Sequence, residues 1–446
     1  MSYDYDVIII GAGSAGLSAA EVCKKNNAEY LLIEKGPGGS TCARQGCMPS
    51  KALIEAANIF HTRKKFKNFH ISGGENLSVD VAGVLSHVRE MRDGFVQSVI
   101  DSMNDHPVLH GAAKFIDTHT LRVDDKEYSA HNIIICTGSK PLIPDIFADF
   151  EDKILTTDNL FEQDDLPDSI AVIGMGSIGA EMSQALARLG IEIFAFESTE
   201  SVMGIVDHDI NQKAQEVLER DMRLYMGANI QKLEPFNGHY RLITENRTIE
   251  MSGILICAGR VPDLEGLELQ SLDIELTDDG VPEFDTDTLK VKDQPIYIAG
   301  DANDHKAYLH EAHVEATRAA EHALGIDLSR KPVTFTIAFT KPDYAVLGNI
   351  RDKENTIGKA SYENQARARM KGDNVGRVNI HAHVSSGALV GAEIFAPAGE
   401  HMAHFLYLAI ENKMRAQDLL DLPFYHPTLE EGLRPALKEI VDQLSD

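Results

Sequence analysis

The sequence of 446 residues is poor in cysteine, in basic side chains and in long apolar runs. Its five cysteines, a small and odd number, are typical of a reducing compartment, so we expect a cytoplasmic protein. The apolar segment 7–20 is too short and too rich in glycine to span a bilayer. Because Asp4 and Asp6 precede it in place of basic residues, we also expect no signal peptide.

Basic residues are scarce relative to acidic ones: 42 Lys and Arg stand against 69 Asp and Glu, a formal net charge of −27. This excess argues against binding to nucleic acid or to anionic membranes, because both carry negative charge. It leaves open either a basic protein partner or an acidic surface without a ligand. The chain is too long for a single hydrophobic core and predicts two to four domains.

Two of the few cysteines, Cys42 and Cys47, stand close together in a stretch that is flanked by glycines and followed by Lys51. A disulfide between them would close a small loop and add little stability, so a structural crosslink explains the pair poorly. No second Cys or His cluster at metal-ligand spacing accompanies them in the sequence, which disfavours zinc. The pair therefore predicts redox chemistry, for which the chain must supply an electron source and a base.

An apolar, β-branched run at 5–10 precedes a glycine turn, a helix-like segment and a second apolar run that ends at Glu34. The turn reads Gly11-Ala12-Gly13-Ser14-Ala15-Gly16. Strand, glycine turn, helix, strand and acid form the dinucleotide-binding fingerprint. Its glycines let the backbone approach a pyrophosphate, and its acid accepts hydrogen bonds from ribose hydroxyls.

The same unit recurs 163 positions later, as a strand at 170–173, the turn Gly174-Met175-Gly176-Ser177-Ile178-Gly179, and a strand that ends at Glu197. In both units the acid follows the third glycine by 18 residues. The repeat predicts two dinucleotide sites. Glu197 suits the free 2′-hydroxyl of NAD and would repel the 2′-phosphate of NADP, so the second site is predicted to take NAD.

Three further apolar runs lead into turns, at 133–138, 253–260 and 295–301. Cys136 and Cys257 lie at the ends of the first two and, like Cys23 in a predicted helix, are expected to be buried apolar residues without redox function. The third ends in Gly300-Asp301 and should return the chain to the first domain, which makes the second domain an insertion. From residue 331 onward the pattern predicts antiparallel strands and then helices, including a core-facing stripe near the end.

His426 is the best candidate for the base, because it precedes Pro427 at a predicted junction between a loop and a helix. Glu431, five residues on, could orient the imidazole and raise its basicity. Thr428 and Glu431 also have the spacing of a helix capping box, so both interpretations of Glu431 stay open. Pro435 is expected to kink or to restart the last helix.

Together these motifs resemble the class I pyridine nucleotide-disulfide oxidoreductases over essentially the whole chain, and look most like their dihydrolipoamide dehydrogenase branch. The resemblance implies an α/β fold with two Rossmann-like dinucleotide-binding domains, the second inserted in the first, and an α+β dimerisation domain. It places FAD binding at 1–145 and 263–328, NAD binding at 146–262 and dimerisation at 329–446.

The resemblance also implies residue roles. Cys42 would exchange with the substrate disulfide, Cys47 would face the flavin as a thiolate, and Lys51 would lie beside the flavin, paired with Glu181. His426 and Glu431 would form an acid–base pair that reaches the cysteines of the partner subunit in an obligate homodimer. The remaining residues implied to contact FAD or NAD are Gly11, Gly13, Ser14, Ala15, Gly16, Glu34, Lys35, Ser40, Thr41, Gly46, Ala112, Thr137, Gly138, Ser139, Gly174, Gly176, Ser177, Ile178, Gly179, Glu197, Ala258, Gly259, Gly300, Asp301, Leu309 and His310.

Three features depart from the commoner family pattern: the segment Ala43-Arg44-Gln45 between the cysteines, Ser177 where many members have tyrosine, and Lys341 where histidine is common. The implied reaction is oxidation of dihydrolipoamide by NAD⁺. One alternative is a related reductase that acts on glutathione disulfide, another disulfide, a metal ion or a quinone. A second alternative is a redox-sensing subunit without turnover.

The tail lacks the vicinal cysteine pair usual in mercuric reductases. A candidate partner is the acyltransferase core of a 2-oxoacid dehydrogenase complex.

Overall fold

The computed structural model describes residues 3–445. The first part of the chain runs through β1 (Tyr5–Ile10), α1 (Ser14–Lys25), β2 (Tyr30–Glu34), α2 (Thr41–Arg44), α3 (Cys47–His61), α4 (Val81–Asn104), β3 (Val108–His110), β4 (Ala113–Asp117), β5 (Thr120–Val123), β6 (Lys126–Ile135) and β7 (Ser139–Pro141). Strands β3, β2, β1 and β6 form a parallel sheet in that order. Strand β1 lies in its middle, so its β-branched residues 7–10 are buried on both faces. The antiparallel strands β5 and β4 extend the sheet beyond β6.

The second part repeats this parallel arrangement. It runs through α5 (Thr157–Leu160), β8 (Ser169–Ile173), α6 (Ser177–Arg188), β9 (Glu192–Phe196), α7 (His208–Leu218), β10 (Arg223–Tyr225), β11 (Ile230–Phe236), β12 (His239–Thr244), β13 (Thr248–Met251), β14 (Gly253–Ile256) and β15 (Arg260–Pro262). Its parallel sheet has the order β10, β9, β8, β14, which is the order of the first sheet element for element. Strands β11, β12 and β13 form a separate antiparallel sheet.

The third part first returns to the first sheet. It runs through β16 (Ile296–Ile298), α8 (Leu309–Ala323), β17 (Phe335–Ala338), β18 (Asp343–Gly348), β19 (Asn355–Ser361), α9 (Ala366–Lys371), β20 (Arg377–His383), β21 (Leu389–Ala396), α10 (Gly399–Glu411), α11 (Ala416–Leu420) and α12 (Arg434–Ser445). Strand β16 pairs in parallel with β6, so the second nucleotide-binding unit is inserted in the first, as predicted. Alanines of α1 and α8 pack in one core with β1, because small side chains let the helices approach closely.

The C-terminal sheet has the order β17, β18, β21, β20, β19 and is antiparallel throughout. Leu433, Leu437 and Ile440 are fully buried in its core, which confirms the predicted stripe. Pro435 lies in the first turn of α12, where a proline needs no N–H partner, so it starts the helix and does not kink it. Within residues 3–445, no helix is long and apolar enough to cross a membrane.

Candidate active site

The two glycine turns have the same backbone geometry. Gly11 and Gly174 have φ of +101° and +93°, and a Cβ at either would lie 2.3 Å or 2.5 Å from the carbonyl oxygen of Cys136 or Cys257. Only glycine fits there, because the turn crosses the end of the neighbouring strand at van der Waals distance. Burial raises the pKa of the Cys136 thiol, and that of the Cys257 thiol to about 12. Cys136 is buried as predicted, whereas Cys257 is only partly buried.

The middle glycine of each turn faces open space. A Cβ built on Gly13 or Gly176 meets no atom of residues 3–445 within 4 Å, apart from its chain neighbours. This is the cradle in which a pyrophosphate can approach the backbone at the start of α1 or α6. The hydroxyl of Thr137 is buried beside the first turn and has no hydrogen-bond partner among residues 3–445. The residues present therefore fit FAD at the first turn and a second dinucleotide at the other.

Each predicted ribose acid is held at the end of its strand by the adjacent turn. Glu34 Oε2 accepts a hydrogen bond from the amide of Ala12 at 2.7 Å. Glu197 Oε2 accepts the equivalent bond from Met175 at 2.8 Å. The similarity of the two units thus extends to side-chain hydrogen bonding. These hydrogen bonds hold both carboxylates beside the glycines that are predicted to bind the dinucleotides.

A cavity of about 1160 Å³ connects the two turns with the cysteine pair. The predicted site residues that line it are Gly11, Gly13, Ser14, Ala15, Glu34, Lys35, Ser40, Thr41, Cys42, Gly46, Cys47, Lys51, Ala112, Thr137, Gly138, Gly176, Ser177, Ile178, Glu181, Gly259, Asp301, Leu309 and His310. The predicted site residues outside its wall are Gly16, Ser139, Gly174, Gly179, Glu197, Ala258, Gly300, His426 and Glu431. Ser139 is nevertheless tied to the site, since its hydroxyl donates to Asp301 at 2.8 Å.

The two cysteines lie on consecutive helices, the short α2 and the longer α3, and are chemically unequal. Cys42 is in α2, Cys47 is the first residue of α3, and both are free thiols. A hydrogen bond from Cys42, helped by the charge of Lys51, lowers the pKa of Cys47 to about 7 against the opposing effect of burial. The same hydrogen bond, together with burial, raises the pKa of Cys42. Cys47 is therefore the sulfur that ionises first, and the N-terminus of α3 favours its thiolate further.

Lys51 and Glu181 form the predicted pair. Lys51 Nζ lies 2.8 Å from Glu181 Oε2, and the Glu181 side chain is only 5% exposed. The other carboxylate oxygen accepts the amide of Phe339 at 2.8 Å, and the Phe339 ring lies 4.8 Å from the ammonium. The pair joins α3 to α6 at the wall of the cavity, one turn below Cys47.

The unusual segment between the cysteines has a structural role. Arg44 donates to the carbonyl oxygens of Gly38 and Pro37, and Gln45 donates to the carbonyl of Asp158 at 3.3 Å. Both side chains also line the cavity. The segment therefore fixes the redox loop against the first and second nucleotide-binding units, a role that its sequence did not indicate. Lys341, another departure, pairs with the buried Asp343 at 2.7 Å.

The cavity wall also contains residues that were not predicted from the sequence: Arg260, His305, Lys306, Tyr308, Phe335 and His404. Arg260 donates to both the hydroxyl and the carbonyl of Ser139, at 2.8 and 2.7 Å. Arg260 could have been predicted from the sequence, since it directly follows Gly259 at the end of a strand-to-turn unit. His305, Lys306 and Tyr308 lie between Asp301 and α8, whereas Phe335 is in β17 and His404 is in α10. No local pattern connects the last two to the glycine turns.

The structure pairs His426 with Glu431 but does not bring either into the cavity of its own chain. His426 Nδ1 lies 2.8 Å from Glu431 Oε2, and 75% of the histidine side chain is exposed. Glu431 also accepts the amide of Thr428 at 3.4 Å, whereas the Thr428 hydroxyl donates to Tyr425 and caps nothing. Only half of the capping box forms, so the geometry favours a carboxylate that orients the imidazole.

The chain belongs to the pyridine nucleotide-disulphide oxidoreductase family, whose model matches residues 5–323, and the family's dimerisation domain matches residues 334–437. It is an oxidoreductase of a family that contains FAD and uses NAD(P), and the second match supports a homodimer. A mercuric reductase of Staphylococcus aureus is 28% identical over 97% of this chain and 82% of its own length. A dihydrolipoyl dehydrogenase of Bacillus subtilis is 28% identical over 96% of this chain and 97% of its own length. The fold matches the HOCl-induced flavoprotein disulfide reductase RclA of Escherichia coli, solved as a Cu(II) complex, with TM-score 0.85, 20% identity and coverage of 98% and 100%.

Proposed function

We propose that the protein is an NAD-dependent flavoprotein that oxidises dihydrolipoamide to lipoamide. The observation that carries the proposal is the unequal pair Cys42 and Cys47, placed with Lys51 and Glu181 in one cavity between two dinucleotide cradles. Residues 1–145 and 263–328 would form the FAD-binding domain, 146–262 the NAD-binding domain and 329–446 the dimerisation domain. A reducing, cytoplasmic setting suits a pair that is oxidised and reduced in each turnover.

The residues that would hold FAD are those around Gly11, Gly13 and Glu34, together with Thr137 and Asp301. When bound, FAD supplies the two-electron chemistry between the dithiol and the nicotinamide. Gly176 and Glu197 would hold NAD. Because the carboxylate of Glu197 repels a 2′-phosphate, we expect NADP to bind much more weakly.

The dithiol step follows from the two sulfurs. His426 of one subunit would take a proton from a substrate thiol, and the resulting thiolate would attack Cys42 Sγ in the oxidised Cys42–Cys47 pair. This forms a mixed disulfide and releases Cys47 as a thiolate, a good leaving group because its pKa is low. Attack by the second substrate thiol releases the oxidised substrate and reduces Cys42, so two electrons reach the pair for each dithiol oxidised.

A second candidate is reduction of a metal ion or another disulfide, because one relative is named a mercuric reductase and one solved neighbour is a Cu(II) complex. The sequence weighs against a mercury site of the usual kind, since its last cysteine is Cys257 and the C-terminal third contains none. Within residues 3–445 the cysteines at the cavity wall are Cys42, Cys47, Cys136 and Cys257. Burial raises the pKa of the last two, so Cys42 and Cys47 are the thiols that a soft metal would meet most readily as thiolates.

Steady-state turnover with a panel of acceptors tests the proposal. We expect NADH to reduce lipoamide faster than glutathione disulfide, Hg²⁺ or a quinone at equal concentration, and NADPH to be a poor donor. Dihydrolipoamide with NAD⁺ should run the reaction in reverse. Brisk turnover with another acceptor and none with lipoamide would overturn the proposed substrate while leaving the redox pair intact.

We also propose that the net charge of −27 serves to dock a basic segment of an acyltransferase core. Because such contacts are electrostatic, binding to a purified core should weaken steeply between low and physiological salt. Sedimentation or interferometry at several salt concentrations measures this. Absent or salt-independent binding would remove the partner without touching the enzyme assignment.

A further inference from the structure

Three polar side chains form a buried row along one face of α6. Glu181, Gln184 and Arg188 are 4%, 3% and 8% exposed, although these residue types usually lie at the surface. Their spacing of three and four residues places them on the same side of the helix. We call this row the α6 ladder. Glu181 at its first position is the partner of Lys51, whereas the proposed mechanism gives the other two no role.

The ladder attaches α6 to α3 at two points. Glu181 binds Lys51 at 2.8 Å, and Arg188 Nη1 donates to Asn58 Oδ1 at 2.6 Å. On each helix the two contact residues are seven positions apart, which is about 10 Å along the axis. A single contact would let α3 pivot, but two contacts at this separation fix its direction as well as its position.

The ladder also forms hydrogen bonds with the backbone of the segment that follows β17. Gln184 accepts the amide of Lys341 at 2.7 Å and donates to its carbonyl at 3.1 Å, and Arg188 Nη2 reaches the same carbonyl at 3.3 Å. Arg188 Nε is held in turn by Asp221 at 3.1 Å, a carboxylate that is itself only 6% exposed. Arg188 therefore contacts α3, the second nucleotide-binding unit and the C-terminal domain together.

Both helices joined by the ladder begin at the cavity. Cys47 is the first residue of α3, and Ser177, the first residue of α6, belongs to the second glycine turn. We propose that Gln184 and Arg188 are positioning residues that hold α3 in the orientation that places Lys51 against Cys47 and the second dinucleotide cradle. The proposal rests on the proposed redox role of Cys47, but its test reads thiol chemistry and not substrate turnover.

The charged and titratable groups that face Cys47 are Cys42 from α2, Lys51 from its own helix and Glu181 from α6. If α3 loses its distal anchor, Lys51 moves relative to Cys47 and stabilises the thiolate less, so the pKa of Cys47 rises. We expect alkylation of Cys47 in the reduced holoenzyme to have its midpoint near pH 7 in the native protein. In Arg188→Met the midpoint should rise by up to about one pH unit, a several-fold slower reaction at neutral pH.

Three further variants make the experiment decisive, with iodoacetamide as the reagent and peptide mass spectrometry to separate the two thiols. Arg188→Met leaves Asp221 without its arginine, so the double variant Arg188→Met with Asp221→Asn removes that buried charge if the single variant fails to fold. Gln184→Met should shift the midpoint in the same direction. The matched control is Arg318→Met, which removes an equally buried arginine that donates to the carbonyls of Asp287 and Ser329.

A shift in the Arg188 and Gln184 variants with an unchanged Arg318 variant supports the proposal. A native midpoint in the folded double variant would overturn it, and so would an equal shift in Arg318→Met, since any loss of a buried arginine would then suffice. Failure of lipoamide turnover in the native enzyme would count against the proposed substrate alone.

Discussion

His426→Gln is expected to lower the oxidation of dihydrolipoamide by about 100- to 10,000-fold while FAD remains bound. Glutamine fills a similar volume but cannot accept and release a proton near neutral pH, so the substrate thiol must ionise without help. FAD binding should be unaffected, because His426 lies outside the cavity that contains the glycine turns. Steady-state kcat with dihydrolipoamide and NAD⁺ measures the loss, and the flavin-to-protein absorbance ratio measures FAD content.

The chain offers a matched control for this substitution. His401 is 73% exposed and lies 3.5 Å from its own acidic neighbour, Glu400. Within residues 3–445, no ion pair or side-chain hydrogen bond joins it to a proposed site residue. His401→Gln should therefore leave turnover unchanged. Turnover of His426→Gln equal to that of His401→Gln would show that His426 is not the base. Glu431→Gln should give a smaller loss than His426→Gln, since Glu431 acts only through the imidazole.

The parts of the fold that the sequence predicts correctly are those with dense local signals. Residues 7–10 and 170–173 are continuous apolar runs, mostly β-branched, because both faces of their strands are buried. The glycine turns and their acids recur at identical spacing, and the structure gives them identical hydrogen bonds from Ala12 and Met175. Such features depend on residues within about 20 positions of one another, so a single sequence contains enough information.

The antiparallel sheet β11–β13 was not predicted, and its composition explains why. Leu233, Leu242 and Met251 are its main buried residues, while most of the other positions are polar and partly exposed. Its apolar alternation is therefore too sparse to distinguish a strand from a loop. Helix α7 was also not predicted, although its buried residues Ile210, Ala214, Val217 and Leu218 recur at helical spacing and Asp207 caps its start.

The sequence also predicts a helical region over 51–67, and the observed helix is displaced from it, with consequences for the site. Helix α3 already begins at Cys47, because Pro49 lies in the first turn and needs no N–H partner there. It ends at His61, and the segment Thr62–Phe69 that follows is a 3₁₀ helix without buried residues. The prediction therefore missed that Cys47 lies at a helix N-terminus, a position that lowers the pKa of a cysteine.

The parts of the site that could not be predicted join distant segments. Glu181 meets Lys51 across 130 positions, and Gln184 meets Lys341 across 157. The sequence placed the Lys51–Glu181 pair only through resemblance to a family. Nothing in the sequence marks Gln184 and Arg188 as buried, because polar residues on a helix usually face solvent. Their burial follows only from the packing of α6 against the other parts of the fold.

A mixed dimer of two inactive variants should regain about half of the native turnover if each active site is shared between subunits. Cys42→Ser removes the sulfur that exchanges with the substrate, and His426→Gln removes the base. In a dimer with one subunit of each kind, one site contains both substitutions. The other site takes native cysteines from the His426→Gln subunit and a native histidine from the Cys42→Ser subunit. The observation behind this expectation is that His426 is exposed and that the His426–Glu431 pair lies outside the cavity of its own chain.

Coexpression with two affinity tags isolates the mixed dimers, whose turnover with dihydrolipoamide and NAD⁺ is compared with that of each parent homodimer. The control pairs Cys42→Ser with Cys47→Ser, because then each of the two sites lacks one sulfur and no turnover should return. If the cysteines and the histidine of each site came from the same subunit, the first mixed dimer would be as inactive as the control. Recovery in the first mixture alone therefore requires that His426 acts on the Cys42–Cys47 pair of the other subunit.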